Sequence, residues 1–198
     1  YLFCGSRGTG KTSVARIFAR ELGVSDNDLY EIDAASNTGV EHIRELREGV
    51  NVVPLDSPYK LYIIDEAHML SRNAWNAFLK TLEEPPAHVI FVMATTERDK
   101  VPDTIQSRCE IYTFKQPTRE ILADMITDVA KSEGYSLERA AAELVALLAE
   151  GSFRDSLSIL QKVLTVTKDK KVDVAEVEMV TGAPRAQLVR TILKSLTE

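Results

Sequence analysis

Gly5-Ser6-Arg7-Gly8-Thr9-Gly10-Lys11-Thr12 fits the spacing G-x-x-x-x-G-K-[ST] and follows a short apolar stretch, Leu2-Phe3-Cys4. Residues of these types in this order cradle the phosphates of a nucleoside triphosphate. Glycines let the backbone curl until several N–H groups point inward, Lys11 would reach the β and γ oxygens, and the Thr12 hydroxyl would ligate Mg²⁺. From Ser13 onward, Val14-Ala15-Arg16-Ile17-Phe18-Ala19-Arg20 is apolar at helical spacing, so the phosphates would also face a helix N-terminus. The expected nucleotide-contacting set is Gly5, Ser6, Arg7, Gly8, Thr9, Gly10, Lys11, Thr12 and Ser13. A plain glycine-rich connection is the alternative; the agreement of the motif with its predicted strand–loop–helix context weighs against it.

About fifty residues on, Lys60-Leu61-Tyr62-Ile63-Ile64-Asp65-Glu66 is a buried-strand pattern ending in two carboxylates, the form of a Walker B strand. Asp65 would hold Mg²⁺ together with Thr12. Glu66 would polarise the attacking water, because a carboxylate one residue past the metal-side Asp can reach the γ-phosphate side. Alone, the pattern could be a strand ending in a solvated acidic turn. Paired with the loop, it argues for hydrolysis of the bound triphosphate.

These side chains need a scaffold, and the elements to supply it alternate. Periodicity predicts strands at 2–4, 29–32, 60–65, 88–94 and 110–114, with helices at 10–22, 38–49 and 71–82 and a helical turn near 103–107. This is the pattern of an α/β fold, a parallel sheet flanked by helices. Pro117 breaks it, Thr118 is a plausible N-cap, and from there the sequence predicts helices only, at 118–133, 136–150, 153–167 and 173–181. The expected organisation is a nucleotide-binding domain over 1–116, a small all-helical lid over 117–182, and the start of a collar or oligomerisation domain over 183–198, with both termini reading as cut.

Composition narrows the classes. The 198 residues are 44% hydrophobic, ample for a core, and no apolar run approaches the roughly 20 residues of a membrane span. No membrane partner and a cytoplasmic location are expected, with no signal peptide in view. Two cysteines, Cys4 and Cys109, are too few for a thiolate zinc site. The net charge of −6 argues against a general nucleic-acid glue, so any DNA contact is local or collective.

Further segments resemble the AAA+ class of ATPases and, within it, the clamp-loader branch. They are Thr95-Thr96 closing a strand, Ser107-Arg108-Cys109, Gly151-Ser152-Phe153-Arg154-Asp155-Ser156, Glu31-Ile32-Asp33-Ala34-Ala35-Ser36-Asn37, Asp65-Glu66-Ala67-His68-Met69-Leu70-Ser71 and Leu79-Lys80-Thr81-Leu82-Glu83-Glu84-Pro85-Pro86. The resemblance implies a P-loop fold with a helical lid, ATP and Mg²⁺ as ligands, and ATP-driven loading of a sliding clamp on primer-template DNA. It implies as partners the other loader subunits, copies of this chain and the clamp. By the same resemblance Thr96 stands at the sensor-one position, Arg108 enters a neighbour's ATP site in trans, and Arg154 reaches from the lid to the γ-phosphate.

Each has a duller alternative, since Arg108 and Arg154 could be surface ion-pairing residues and the threonines could simply end a strand. His68 lacks co-ligands and is expected to be packed or hydrogen-bonded. For DNA, Asn37, Thr38 and Arg44 belong to a segment that opens a helix whose free N–H groups could take a phosphate; a plain capped surface helix is the alternative. Many members of the branch carry a four-cysteine zinc module before the second strand, where this chain has Gly23-Val24-Ser25-Asp26-Asn27-Asp28, so no zinc is expected. The rival readings are an ATP-silent structural loader subunit and another AAA+ DNA-remodelling ATPase such as a branch-migration motor.

Overall fold

The computed structural model describes residues 1–37, 39–183 and 195. Two compact units divide the chain at Lys115–Gln116. In the first, five parallel strands, β1 (Leu2–Gly5), β2 (Leu29–Asp33), β3 (Lys60–Asp65), β4 (Val89–Thr95) and β5 (Ile111–Phe114), lie in the order β2-β3-β4-β1-β5. Between them run α1 (Lys11–Glu21), α2 (Val40–Val50), α3 (Arg72–Glu83) and the short α4 (Asp103–Gln106).

The central strand shows why the chain folds this way. Its residues alternate between faces. Leu61 and Ile63 enter a cluster with Ala15 and Ala19 of α1, while Tyr62 and Ile64 join Ile43 and Leu46 of α2 and Trp75 and Phe78 of α3. A strand buried on both sides reads as a continuous apolar run, as this one does. The stripe Trp75, Phe78, Leu79 and Leu82 faces that core.

One loop is pinned by a buried charge. Asp28, in the 3-10 turn Asp26–Asp28, is 0% exposed and accepts N–H groups from Leu55 (2.8 Å) and Asp56 (2.9 Å). Burial would push its carboxyl up, but these donors and Ser57 outweigh it and hold it below the usual carboxylate range. A carboxyl depressed in the fold stabilises it above the unfolded value of about 4, and that contribution is lost as the pH falls through the lower folded value. Asp28→Asn is therefore expected to lower the Tm at pH 7 by about 4–8 °C. The gap from the parent should narrow on acidification below about pH 4; a pH-independent gap in thermal melts would refute the assignment.

The second unit holds α5 (Arg119–Ser132), α6 (Arg139–Leu148), α7 (Phe153–Val166) and α8 (Val174–Thr181) around Leu122, Ile126, Val145, Leu160 and Val163. Thr118, Ser152 and Asp173 cap α5, α7 and α8, Asp173 in a capping box with Glu176. The expectation of helices alone needs correction. Ser136–Leu137 (β6) and Lys171–Val172 (β7) form a two-residue parallel pair, and α6 begins at Arg139 rather than 136. Two residues carry too little periodicity to be read as strands; the pairing arises because both connections run side by side. The segment expected to begin a collar domain lies, apart from residues 183 and 195, outside the described residues.

Candidate nucleotide site

The loop after β1 is shaped by two glycines for different reasons. At Gly5 a Cβ would stand 2.4 Å from the Phe114 carbonyl oxygen on β5, so only glycine lets the adjacent backbones meet there. Gly10 is left-handed (φ 92) and is the N-cap of α1. No side chain caps that helix and its first turn holds no acidic residue, which leaves first-turn N–H groups and the positive end of the helix facing the loop. Lys11, 6% exposed, donates from Nζ to the carbonyls of Gly5 (2.8 Å) and Ser6 (2.9 Å), and the Thr9 hydroxyl donates to Ser6 (2.8 Å). Ser6, Arg7 and Ser13 are exposed, and Gly8 is half-buried.

Sheet order brings the second motif to the first. The Thr12 hydroxyl donates to Asp65 Oδ2 at 2.8 Å across a separation of 53 residues, and Asp65 Oδ1 accepts the Glu66 N–H at 2.9 Å. A hydroxyl and a carboxylate, both hard oxygen donors, suit Mg²⁺. Glu66 itself sits in the left-handed region (φ 47), unusual for a residue with a long side chain, and this turns the chain out of β3. Its Oε2 accepts the Thr96 hydroxyl at 3.1 Å from the end of β4. Thr95, by contrast, is fully buried; its Oγ1 accepts the Glu97 N–H and stands 3.0 Å from His68 Nδ1. The expected sets of Lys11, Thr12, Asp65, Glu66 and Thr96 thus belong to one end of one sheet.

Arg108, past α4, donates to the Thr104 carbonyl (2.6 Å) and to Glu83 Oε1 (2.6 Å). That partner was not anticipated. It lies 25 residues away, and only the packing of α3 against α4 makes them neighbours. Arg154 is exposed on the first turn of α7, in the second unit. Of the residues expected at DNA, Thr38 lies outside the described residues; Asn37 donates to the Asp33 carbonyl (2.9 Å), and Arg44 pairs with Glu41 (2.7 Å). α2 starts from Gly39 without a side-chain cap. Between α2 and α3 opens a groove of about 530 Å³ lined by Arg44, Arg47 and Lys80 among others. The side chains of Arg47 and Lys80 have no hydrogen bond or ion pair among the described residues. Sequence reasoning missed these two, because their relation appears only when α2 and α3, distant in the chain, come to line one groove.

Among the described residues no helix is long and apolar enough to cross a membrane. Solved structures share the architecture. The Holliday junction branch migration motor RuvB of Thermotoga maritima superposes with a TM-score of 0.75 at 22% identity, over 91% of this chain and 60% of that one, a likeness of fold alone. Sequence comparison is more specific. A family model described as DNA polymerase III, delta subunit, matches residues 24–118, and one described as DNA polymerase III clamp loader subunit, ATPase lid domain, matches residues 122–168. The tau subunit of DNA polymerase III from Bacillus subtilis (strain 168) is 41% identical over 217 residues, spanning 99% of this chain and 38% of that protein. That of Escherichia coli (strain K12) is 39% identical over 219 residues, spanning 100% of this chain and 34% of that protein. The chain thus covers little more than a third of either relative, and both alignments are longer than its 198 residues. With an AAA+ P-loop sheet, a clamp-loader lid and this likeness along nearly its whole length, the chain belongs to the gamma/tau family of DNA polymerase III clamp-loader subunits.

Proposed function

We propose that this chain binds ATP with Mg²⁺ and hydrolyses it as a subunit of the bacterial replicative clamp loader, coupling turnover to loading of the sliding clamp on primer-template DNA. The observation that carries the reading is the Thr12–Asp65 hydrogen bond at 2.8 Å, which joins phosphate loop and carboxylate pair, with Glu66 beside them on the Thr96 hydroxyl. A structural subunit with a silent site would be expected to have lost some of these groups.

In this reading Lys11 leaves the loop carbonyls for the β and γ oxygens, and the loop N–H groups and α1 N-terminus take the remaining phosphate charge. Thr12 and Asp65 would hold Mg²⁺, which when bound would neutralise charge developing on the phosphates. Glu66 accepts a hydrogen bond from the attacking water and orients it in line with the γ-phosphate. Thr96 steadies Glu66. Arg154 is the proposed γ-phosphate sensor, and Arg108 completes the site of an adjacent subunit, so hydrolysis depends on the assembly. The partners are copies of this chain, other loader subunits, the clamp and DNA. No zinc takes part, because residues 23–28 contain no thiol.

The test is ATP hydrolysis with and without primed DNA, clamp and the other loader subunits. Stimulation by clamp and primed DNA together is the expected result; turnover indifferent to the clamp would refute the loader reading. For DNA, we place the phosphate backbone along the α2 N-terminus, with Asn37, Thr38 and Arg44, and the groove of Arg47 and Lys80. Reversing Arg47 or Lys80 to Glu in the assembled loader is expected to weaken DNA binding alike for all sequences. The slope of log K against log salt should fall by about one per residue, and an unchanged slope in a salt titration would remove the groove from the interface.

A further inference from the structure

His68 is a titratable side chain, only 6% exposed, for which the reaction outlined above has no use. Its surroundings are specific. Nδ1 stands 3.0 Å from Thr95 Oγ1 and 3.5 Å from Glu66 Oε2, and Nε2 stands 3.3 Å from Glu97 Oε1. Thr95 Oγ1 already accepts the Glu97 N–H at 3.0 Å, so its hydroxyl proton is free to point at Nδ1. In the neutral ring this arrangement assigns the proton to Nε2, which lies beside the Glu97 carboxylate. The chain of contacts runs from the Glu97 backbone through Thr95 to the imidazole, whose other nitrogen lies next to the Glu97 side chain. Lys100 anchors the far end, with Nζ 2.9 Å from Glu97 Oε1 and 2.8 Å from Oε2. Such a circuit fixes the plane of the ring, and a fixed ring sets one edge against the Glu66 carboxylate.

Resting on the role given above to Glu66, we propose that His68 and Glu97 are positioning residues for it. The Thr96 hydroxyl at 3.1 Å draws Oε2 in, the Nδ1 lone pair of the clamped ring at 3.5 Å keeps the same oxygen from closing further on the ring, and together they fix the rotamer in which Glu66 meets the attacking water. Two features suit that task. The Glu66 backbone is already committed to a left-handed turn, so the direction of its carboxylate depends on side-chain contacts. Thr95, Thr96 and Glu97 come from the end of β4 and the turn after it, and His68 shares with Glu66 the turn after β3, so the alignment of adjacent strands sets the geometry.

The experiment compares kcat, KM and nucleotide affinity for ATP hydrolysis by the full-length protein assembled with its partner subunits. His68→Gln keeps a polar atom near Nε2 but removes the ring edge. It is expected to lower kcat about ten- to a hundredfold, as misplacement of a reacting group does, with KM and nucleotide affinity within about threefold. Glu97→Gln changes an exposed side chain, 48% accessible, with little risk to folding. It should lower kcat in the same direction by about three- to tenfold. The deciding measurement is the pair with Glu66→Gln. If His68 acts through Glu66, adding His68→Gln to Glu66→Gln costs nothing further, whereas a merely structural histidine would subtract its loss from any background. Additive losses, or an unchanged kcat in either single variant, overturn the positioning role while leaving that of Glu66 in place. An unchanged kcat for Glu66→Gln would overturn the role of Glu66 itself, and this proposal with it.

Discussion

Lys11→Ala and Glu66→Gln are expected to fail in opposite ways: the first loses ATP binding, the second keeps it and loses turnover. Lys11 is 6% exposed and holds two loop carbonyls, at 2.8 and 2.9 Å, in the arrangement that would surround a phosphate chain. Its removal deletes a buried positive charge from an anion site and should weaken affinity by at least about a hundredfold, because charged hydrogen-bond partners in such sites are costly to remove. Glu66 lies beyond the loop, on the turn after β3, and touches Thr96 rather than any loop atom. Glu66→Gln keeps the shape and can still accept the Thr96 hydroxyl. It cannot act as a base, and a loss of about 10²–10⁴ in kcat is the expected scale. Calorimetric titration with ATP and a turnover assay separate the two. Unchanged affinity for Lys11→Ala would end the phosphate-loop assignment, and undiminished turnover for Glu66→Gln would end that of the base.

How much of this was legible depends on how local each cause is. β3 was expected at 60–65 and found there, because a continuous apolar run bounded by Asp65 has few other solutions. The helices were displaced by only a residue or two, except α6, whose start was taken by β6. The phosphate loop was legible for the same reason, being eight consecutive residues with one geometry. Nothing local announced that Asp28 would hold the loop at 55–57, or that Glu83 would receive Arg108. The left-handed backbone of Glu66 and the circuit through His68 and Glu97 were equally hidden. These depend on which strands lie side by side, and a period of two or of 3.6 residues carries no information about that order.

Fold and function part company for a related reason. The same sheet and lid recur in a branch migration motor at 22% identity, so the architecture alone is compatible with more than one machine. What distinguishes this chain is distributed over the sequence rather than the fold. It is the identity of about two residues in five with the tau subunits. Glu83, in the segment Glu83-Glu84-Pro85-Pro86 that touches no nucleotide motif, is the ion-pair partner of Arg108. The pairing holds the direction of the guanidinium, which on the proposed reading is offered to a neighbouring subunit.

Arg108→Ala is therefore expected to leave its own subunit's ATP affinity nearly intact and to cripple hydrolysis in the assembly. Both terminal nitrogens of the guanidinium are engaged, by the Thr104 carbonyl and by Glu83 at 2.6 Å, with side-chain exposures of 35% and 41% for the pair. A half-exposed pair of this kind contributes at most about 1 kcal/mol to stability, so the variant should fold and melt like the parent. An arginine supplied to a neighbour's transferring phosphate is worth about 10³–10⁵ in rate. Clamp- and DNA-stimulated turnover should fall on that scale at any site that Arg108 completes. Mixed assemblies decide where it acts. A subunit lacking Arg108 but retaining Glu66 should still hydrolyse its own ATP when its neighbour donates an arginine, and a subunit retaining Arg108 should stall when that neighbour lacks it. If the altered subunit loses hydrolysis in its own site whatever its neighbour carries, Arg108 works in cis, and the dependence of hydrolysis on assembly must come from elsewhere in the chain.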